Sequence, residues 1–271
     1  MTNVGGEAMN GGRLILFLVI LNLVGYLGMV VANGLANVLP INDITTGDVS
    51  ALYPNLFVPA GITFSIWGLI YLLLGIMVVY QLLPKVRQNA EKAYFITRVG
   101  PFFFISCLAN TGWIFAWHYQ QIALTLGLMA VILGCLIAIY LRLNTGRTEA
   151  LPAEKYFVHL PFSVYMGWIT IATIANVSAL LVDINWGGCG LSEEFWAATV
   201  ITVGIIIGLA VLFTRRDIYF NLVVLWAFAG ILIQQVSIVA EPSQAVVITT
   251  ITGLVIISLN SVYQLIRGEV Y

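Results

Sequence analysis

The sequence predicts an all-α, polytopic transmembrane helical bundle of about eight helices, and three observations support this fold class. Hydrophobic residues make up 61% of the 271 residues and charged residues only 8%, whereas a soluble domain carries roughly 25% charged residues. So few charges cannot cover a water-facing surface, and most of the surface must therefore face lipid. Eight segments are apolar over about the 20 residues that a spanning helix needs. These segments are continuously apolar rather than alternating, which excludes barrel strands.

The eight predicted spans follow one another along the whole chain. The first has no small-residue cleavage site, so we interpret it as a retained span and not as a signal peptide. Loop 1–2, residues 34–58, is the longest connection, and loops of that length are typically lids, binding loops or disordered segments. The predicted spans are helix 1 at Leu14–Asn33, helix 2 at Pro59–Leu83, helix 3 at Val99–Trp117, helix 4 at Ile122–Leu141, helix 5 at Tyr156–Val182, helix 6 at Phe195–Phe213, helix 7 at Ile218–Val239 and helix 8 at Ala245–Ile266.

The charged residues divide between the two ends of these spans. All 11 Lys and Arg residues lie before helix 1, after helix 8, or in loops 2–3, 4–5 and 6–7. The opposite loops carry only acids, namely Asp43, Asp48, Asp183, Glu193, Glu194 and Glu241. The positive-inside rule therefore predicts that both termini are cytoplasmic. A multi-pass protein of a prokaryotic cytoplasmic membrane is the expected localisation.

Charge also bears on function. The 11 basic and 12 acidic residues nearly balance, which argues against a nucleic-acid partner, since that partner requires a basic patch. No charged residue falls inside a predicted span, which disfavours proton pumps, ion-coupled transporters and voltage sensors. The three cysteines and two histidines have no metal-ligand spacing. No catalytic motif is present, so the sequence identifies no enzyme.

Several predicted helices place amides and indoles at one level in the outer half of the membrane. Interfacial belts hold Trp at the headgroups, but a rise of about 1.5 Å per residue puts some of these side chains about 9–12 Å deep. Two interpretations stay open, namely hydrogen bonding between helices and a ligand cavity. The side chains in question are Trp67, Asn110, Trp113, Thr173 and Asn176, with Trp168 near the midplane and Gln234 and Gln235 in the same half.

Two glycine patterns predict close helix contacts. Gly61, Gly68 and Gly75 recur every seven residues along helix 2, and Gly204 and Gly208 form a G-x-x-x-G on helix 6.

Three stretches together resemble the TspO/MBR family of tryptophan-rich sensory and translocator proteins. They are VPAGITFSIWGLIY on helix 2, LANTGWIFAW on helix 3 and VYMGWITIATIAN on helix 5. The resemblance covers helices 1–5, roughly residues 14–186, whereas family members have five helices. Two positions depart from the family pattern, since Ile62 replaces a tryptophan and Val164 a proline. The matching residues are Pro59, Phe64, Trp67, Tyr71, Asn110, Trp113, Tyr165, Trp168, Ala172, Thr173 and Asn176.

The resemblance implies a TspO-like unit at residues 1–186 and an appended three-helix unit at residues 187–271. It implies binding of a hydrophobic, planar ligand such as a tetrapyrrole or a sterol, with a sensory or transport-related role. Two other hypotheses remain, a permease for an uncharged or amphipathic solute and a structural subunit that contacts a second copy or another membrane protein through helices 6–8. The implied ligand-binding residues are Trp67, Tyr71, Asn110, Trp113, Tyr165, Trp168, Thr173 and Asn176.

The charge partition predicts a topology that reporter fusions can test. A fusion after Arg147 should give a fluorescent cytoplasmic reporter and inactive alkaline phosphatase, and a fusion after Glu193 should give the reverse. The physical reason is that loops rich in Lys and Arg are retained in the cytoplasm. The same reporter response at both positions would contradict the eight-span topology.

Overall fold

The computed structural model describes residues 4–39, 41–147, 150–268 and 271, and the regular structure within them is helical. Seven stretches are long and apolar enough to cross a membrane, and a bent pair of helices makes an eighth. The predicted fold class is therefore confirmed. The eight membrane helices are α1 Val4–Val38, α2 Ile66–Leu82, α3 Phe102–His118, α4 Ile122–Leu143, α5 Leu160–Asp183, α6 Glu193–Arg215, α7 Ile218–Ile233 and α8 Gln244–Ile266.

The bent pair explains why helix 3 starts later than predicted. A separate helix, Ala90–Val99, precedes α3, and the two are bent by 41°. Gly100 lies at the bend with a φ of +53°, a conformation that glycine adopts without the steric cost of a Cβ. Pro101 follows and has no backbone N–H to continue the first helix.

The packing order joins the last three helices to the rest of the bundle through α7, which packs against α5. Helix α3 packs between α1 and α4, α4 packs on α5, and α7 packs on α5 from another side. Helices α6 and α8 pack on each other and on α7. The predicted contact role of the G-x-x-x-G is confirmed, since a Cβ at Gly204 would lie 3.0 Å from Phe228 and one at Gly208 2.9 Å from Asn221. These glycines contact α7 of the same chain, so a partner protein that bound to α6–α8 would have to contact other residues.

Helix α7 also supports the start of α2. A 3₁₀ turn, Gly61–Ser65, precedes α2, and the backbone N–H of Ala60 donates to the Gly230 carbonyl over 3.0 Å. The Trp226 indole N–H donates to the Thr63 carbonyl over 2.9 Å. Gly230 has no room for a side chain because Thr63 occupies that space. Helix α7 therefore holds the turn before α2 in place.

Asp217, at the N-cap of α7, is fully buried although its sequence position is in a short loop next to arginines. One carboxylate oxygen accepts from the Phe220 backbone N–H over 3.1 Å, and the other accepts from the Tyr140 hydroxyl over 2.8 Å. Within the described residues the only ion pair joins His159 and Glu154, so Asp217 has no cationic partner. Burial raises the pKa of Asp217 above its ordinary value because it disfavours the charged form.

This raised pKa predicts a pH-dependent gain in stability for Asp217→Asn. A raised folded-state pKa gives stability that is fully present below the unfolded value, near pH 4, and is lost as the pH rises through the folded pKa. The Asn variant keeps the N-cap acceptor, and its amide donates to the Tyr140 oxygen. We expect a higher melting temperature than the parent at pH 7.5, with the difference shrinking toward pH 4.

Thermal unfolding in detergent at several pH values measures this difference. Glu91→Gln is the control, because Glu91 is an exposed acid at the same end of the bundle. A melting temperature for Asp217→Asn that is lower than the parent's at pH 7.5, with the deficit vanishing toward low pH, would show instead that the charge itself stabilises the fold.

Candidate ligand-binding site

A cavity of about 1180 Å³ lies beneath loop 1–2, in the outer half of the predicted topology. It exceeds the roughly 300–1,000 Å³ of typical ligand pockets. Its walls come from the end of α1, loop 1–2, the starts of α2 and α6, α3, and the turn after α7. The side chains that carry its chemistry are Asn33, Asp48, Ser50, Asn55, Phe64, Trp67, Tyr71, Trp113, Glu193, Gln234 and Gln235.

The described part of loop 1–2 is an ordered cover fixed to the end of α3. It contains a short helix, Thr46–Ala51, whose N-cap Thr45 forms a capping box with Asp48. The two ring nitrogens of His118 lie 2.9 Å from the Ile41 carbonyl and 3.2 Å from the Thr46 hydroxyl. The Trp117 indole N–H donates to the Thr46 carbonyl over 3.0 Å. The outer end of α3 thus holds the loop over the cavity.

Trp67 lies at the centre of an aromatic cluster. It stacks on Tyr71, with ring centroids 5.6 Å apart and planes at 21°. Trp113, Tyr165 and Trp168 each have a centroid 6.2 Å from that of Trp67. Such ring pairs add about 0.5–1.5 kcal/mol each beyond the area they bury, so the cluster makes a rigid wall.

A second, narrow cavity of about 40 Å³ lies on the other side of this wall. Trp67 and Trp113 line both cavities. Trp168 and Asn176 line only the narrow cavity, and Tyr71 only the large one. The two indoles are therefore part of a partition between an open site and an almost filled apolar space, along with Ser50, Asn55, Val58, Pro59 and Phe64.

Two buried polar side chains at this partition lack hydrogen-bond partners among the described residues. They are the Tyr71 hydroxyl and the Trp168 indole N–H. Buried polar groups are normally paired, because leaving one unpaired costs about 1–3 kcal/mol. Each group belongs to a residue that lines a cavity, but the polar atom itself is buried within the packed wall.

Other polar groups at this level are paired across helices. The Asn33 amide donates to the Asn110 oxygen over 2.7 Å, and the Asn110 amide donates to the Tyr165 hydroxyl over 3.3 Å. The Trp113 indole N–H donates to the Asn176 oxygen over 3.2 Å. Hydrogen bonding between helices, one of the two interpretations left open by the sequence, therefore applies to these residues.

The glycine stripe of helix 2 has two different roles. A Cβ at Gly75 would lie 2.5 Å from the Tyr26 hydroxyl, so Gly75 makes the close contact with α1 that the pattern predicts. At Gly61 and Gly68 a Cβ would meet nothing within 4 Å, and both glycines line the large cavity. The prediction of packing is wrong for these two, because they face open space and not a neighbouring helix.

The structure brings together seven of the eight predicted ligand-binding residues, in different roles. Trp67, Tyr71 and Trp113 line the large cavity, and Trp168 and Asn176 the narrow one. Tyr165 belongs to the aromatic cluster but lines neither cavity, and Asn110 supports it through a hydrogen bond. Thr173 stands apart, since its hydroxyl donates to the Ile169 carbonyl of its own helix and it lines neither cavity.

The sequence prediction of the site missed its mouth. Asp48, Asn55 and Glu193 lie in loops or at a helix start, where no depth argument applies. Gln234 and Gln235 lie in a π-helical turn, Gln234–Ile238, at the end of α7, and such turns are frequent at functional sites. The Gln235 amide donates to the Leu56 carbonyl over 3.3 Å and so connects α7 to the loop. The one sequence signal that could have pointed to Asp48 and Glu193 was the presence of acids in the predicted outer loops.

The hydrogen-bond chain predicts the cost of removing Asn110. Asn110→Leu breaks two interhelical hydrogen bonds, each worth about 0.6 kcal/mol in membranes, and leaves the Asn33 amide with one bond fewer. We expect the free energy of unfolding to fall by about 1–2 kcal/mol, measured by denaturant titration in mixed micelles. Asn260→Leu is the matched control, since the Asn260 amide donates to the Ile256 carbonyl of its own helix. Equal effects of the two changes would contradict a supporting role for Asn110.

Comparison with known families agrees with this architecture. A search of curated proteins found no match, and neither did a search of solved structures. One family model, described as TSPO-like protein, matches residues 19–263. The match extends past the first five helices to include almost all of α6–α8. Because it covers most of the 271 residues, the chain belongs to the TSPO-like protein family.

Proposed function

We propose that this membrane protein binds a hydrophobic, flat ligand, such as a tetrapyrrole or a sterol-like molecule, in the large outer cavity. The proposed role is sensory or transport-related, in a prokaryotic cytoplasmic membrane. The observation that carries the proposal is the cavity of about 1180 Å³ bounded by Trp67, Tyr71 and Trp113. The division into a unit at residues 1–186 and one at residues 187–271 remains a proposal, with α7 contributing Gln234 and Gln235 to the site.

The lining suits a flat apolar molecule with a few polar groups. Stacked indole and phenol rings offer an extended apolar face, and aromatic rings prefer offset or edge contacts with other π systems. The side-chain amides of Asn55 and Gln234, which line the cavity, would supply hydrogen bonds at the edges. Few convergent polar groups in an apolar cavity are typical of small-molecule sites.

Filling the cavity tests this proposal. Gly68→Leu projects a side chain into open space, so it should occupy the ligand's volume without disturbing the fold. Replacing a helix glycine also recovers up to about 1 kcal/mol of stability. We expect affinity for protoporphyrin, measured by quenching of tryptophan fluorescence, to fall at least about tenfold, since displaced stacking contacts are worth more than about 1.4 kcal/mol.

Gly134→Leu on α4 is the matched control, because Gly134 is exposed and a Cβ there also meets nothing within 4 Å. Trp67→Ala provides a second test by removing the stacking wall. Native mass spectra of the purified parent should show a retained small molecule, and spectra of Gly68→Leu should lack it. Unchanged binding in both Gly68→Leu and Trp67→Ala would refute the cavity as the site.

The two other hypotheses predict different measurements. A permease would move solute across proteoliposomes, and the cavity-filling change would then stop flux. A structural subunit would purify with a stoichiometric partner, and Gly68→Leu would leave that partner bound because Gly68 faces the cavity.

A further inference from the structure

An apolar groove of about 500 Å³ lies between the membrane helices α2 and α7 and faces the bilayer. Helix α5 packs against both of these helices and forms the floor of the groove. Leu69, Leu222 and Trp226 are exposed along its walls, which shows that the described chain leaves the groove open. The side chains that give it an apolar surface are Leu69 and Leu73 of α2, Leu160 and Val164 of α5, and Leu222 and Trp226 of α7.

The groove is a wedge that closes where α7 reaches the turn before α2. The Trp226 indole N–H donates to the Thr63 carbonyl over 2.9 Å, and the Ala60 N–H donates to the Gly230 carbonyl over 3.0 Å. Beyond this junction α7 packs on α5 and makes few contacts with α2. The groove therefore extends along α7 from Trp226 to Tyr219, roughly 10 Å at a rise of about 1.5 Å per residue.

The occupant of this groove must be apolar and narrow. Within the hydrocarbon no water is available to fill it, and an empty groove forfeits the dispersion contacts of its walls. The Trp226 N–H is already bonded, so the polar side-chain groups left in the lining are the hydroxyls of Ser65 at the closed end and Tyr219 at the other. A volume of about 500 Å³ over this length gives a cross-section of about 50 Å², less than the roughly 80 Å² of an α-helix 10 Å across. A lipid chain fits this space and a partner helix does not.

The open end of the groove lies at the end of the bundle that carries the basic residues. Arg215 and Arg216 come directly before the Asp217 N-cap of α7, and Lys155 begins the π-helical turn that leads into α5. Within the described residues the only ion pair joins His159 and Glu154, so no acid forms an ion pair with these three side chains. Basic residues at a membrane surface attract anionic lipid headgroups. The charge at this end therefore complements a lipid with a negative headgroup.

We propose that this groove binds one anionic phospholipid. An acyl chain would lie between Leu69 and Leu222 over the floor made by Val164, and the phosphate would lie near Lys155 and Arg216. The site depends on α7, and it is independent of the ligand in the outer cavity. Phosphate oxygens accept charge-assisted hydrogen bonds from ammonium and guanidinium groups, whereas a sterol or a zwitterionic lipid brings no net negative charge to this end of the groove.

Lipid selectivity tests this proposal. Native mass spectra of the protein in a mild detergent, with added phosphatidylglycerol, phosphatidylcholine or cholesterol, report which lipid stays bound. We expect one phosphatidylglycerol per chain, with an affinity at least about fivefold higher than that of phosphatidylcholine with the same acyl chains, because each basic residue near an anionic headgroup favours binding by about that factor. The preference should shrink at about 0.5 M salt because the charges are then screened.

Filling the groove should release the lipid. Leu222→Trp and Leu69→Trp enlarge side chains on opposite walls, so that an indole occupies the volume of the acyl chain. We expect each change to lower the affinity for phosphatidylglycerol at least about tenfold, since the burial of two methylene groups is worth that factor. Leu259→Trp is the matched control, because Leu259 is an exposed leucine of α8 that does not line the groove.

Neutral variants locate the source of the charge preference. The double variant Lys155→Gln with Arg216→Gln should bring the affinity for phosphatidylglycerol down to that for phosphatidylcholine, and the affinity for phosphatidylcholine should not change. Lys92→Gln is the matched control, since Lys92 is an exposed basic residue of a different helix, Ala90–Val99, and does not line the groove.

The outcomes separate this inference from the proposed function. Retention of phosphatidylcholine or cholesterol as strong as that of phosphatidylglycerol would overturn the lipid site, as would unchanged retention in both tryptophan variants or equal effects of the double variant and Lys92→Gln. Ser65 lines both the groove and the outer cavity, so protoporphyrin binding is measured in Leu222→Trp as well, and it should not change. A fall as large as that in Gly68→Leu would assign the groove to the path into the cavity, which overturns the lipid site and leaves the binding function standing.

Discussion

Within the hydrocarbon of a bilayer no water pairs with a backbone N–H or carbonyl, and each group left unpaired costs several kcal/mol. The eight membrane helices satisfy their backbones internally, and most buried side chains follow the same rule across helices. Asn33, Asn110 and Tyr165 form one such chain, and Trp113 pairs with Asn176. Against this background the Tyr71 hydroxyl, buried in the cavity wall, is one of several buried side-chain groups without a partner among the described residues.

The cavity exists because two segments that surround it are held apart. The 3₁₀ turn before α2 is fixed to α7 through the Gly230 carbonyl and the Trp226 indole, and the loop is fixed to α3 through His118. Because the turn and the loop are both held, Gly68 faces empty space and no helix closes onto it. Helix α7 thus holds the turn beside the cavity, and the start of α6 and the turn after α7 line part of it, so the C-terminal helices contribute to the candidate site.

Charge is arranged on two scales. Over the whole chain, all Lys and Arg residues belong to one set of loops and termini, and the opposite loops carry only acids. Locally, the two charged residues that line the cavity, Asp48 and Glu193, are both acids. At the basic end Asp217 is buried among helices, where Tyr140 and the α7 N-terminus hydrogen-bond its carboxylate in place of a cationic partner.

The sequence by itself determined the spans, the division of charge and the level at which Trp67, Asn110 and Asn176 lie, because hydropathy, charge and helix rise are properties of consecutive residues. Only the tertiary structure decided which side chains face space. Gly68 and Gly75 share a stripe, yet one lines the cavity and the other contacts Tyr26. Likewise, only the structure showed that Asn110 hydrogen-bonds two neighbouring helices and that Asp217 is buried. Helix rotation and crossing set these outcomes, and they depend on residues far apart in the chain.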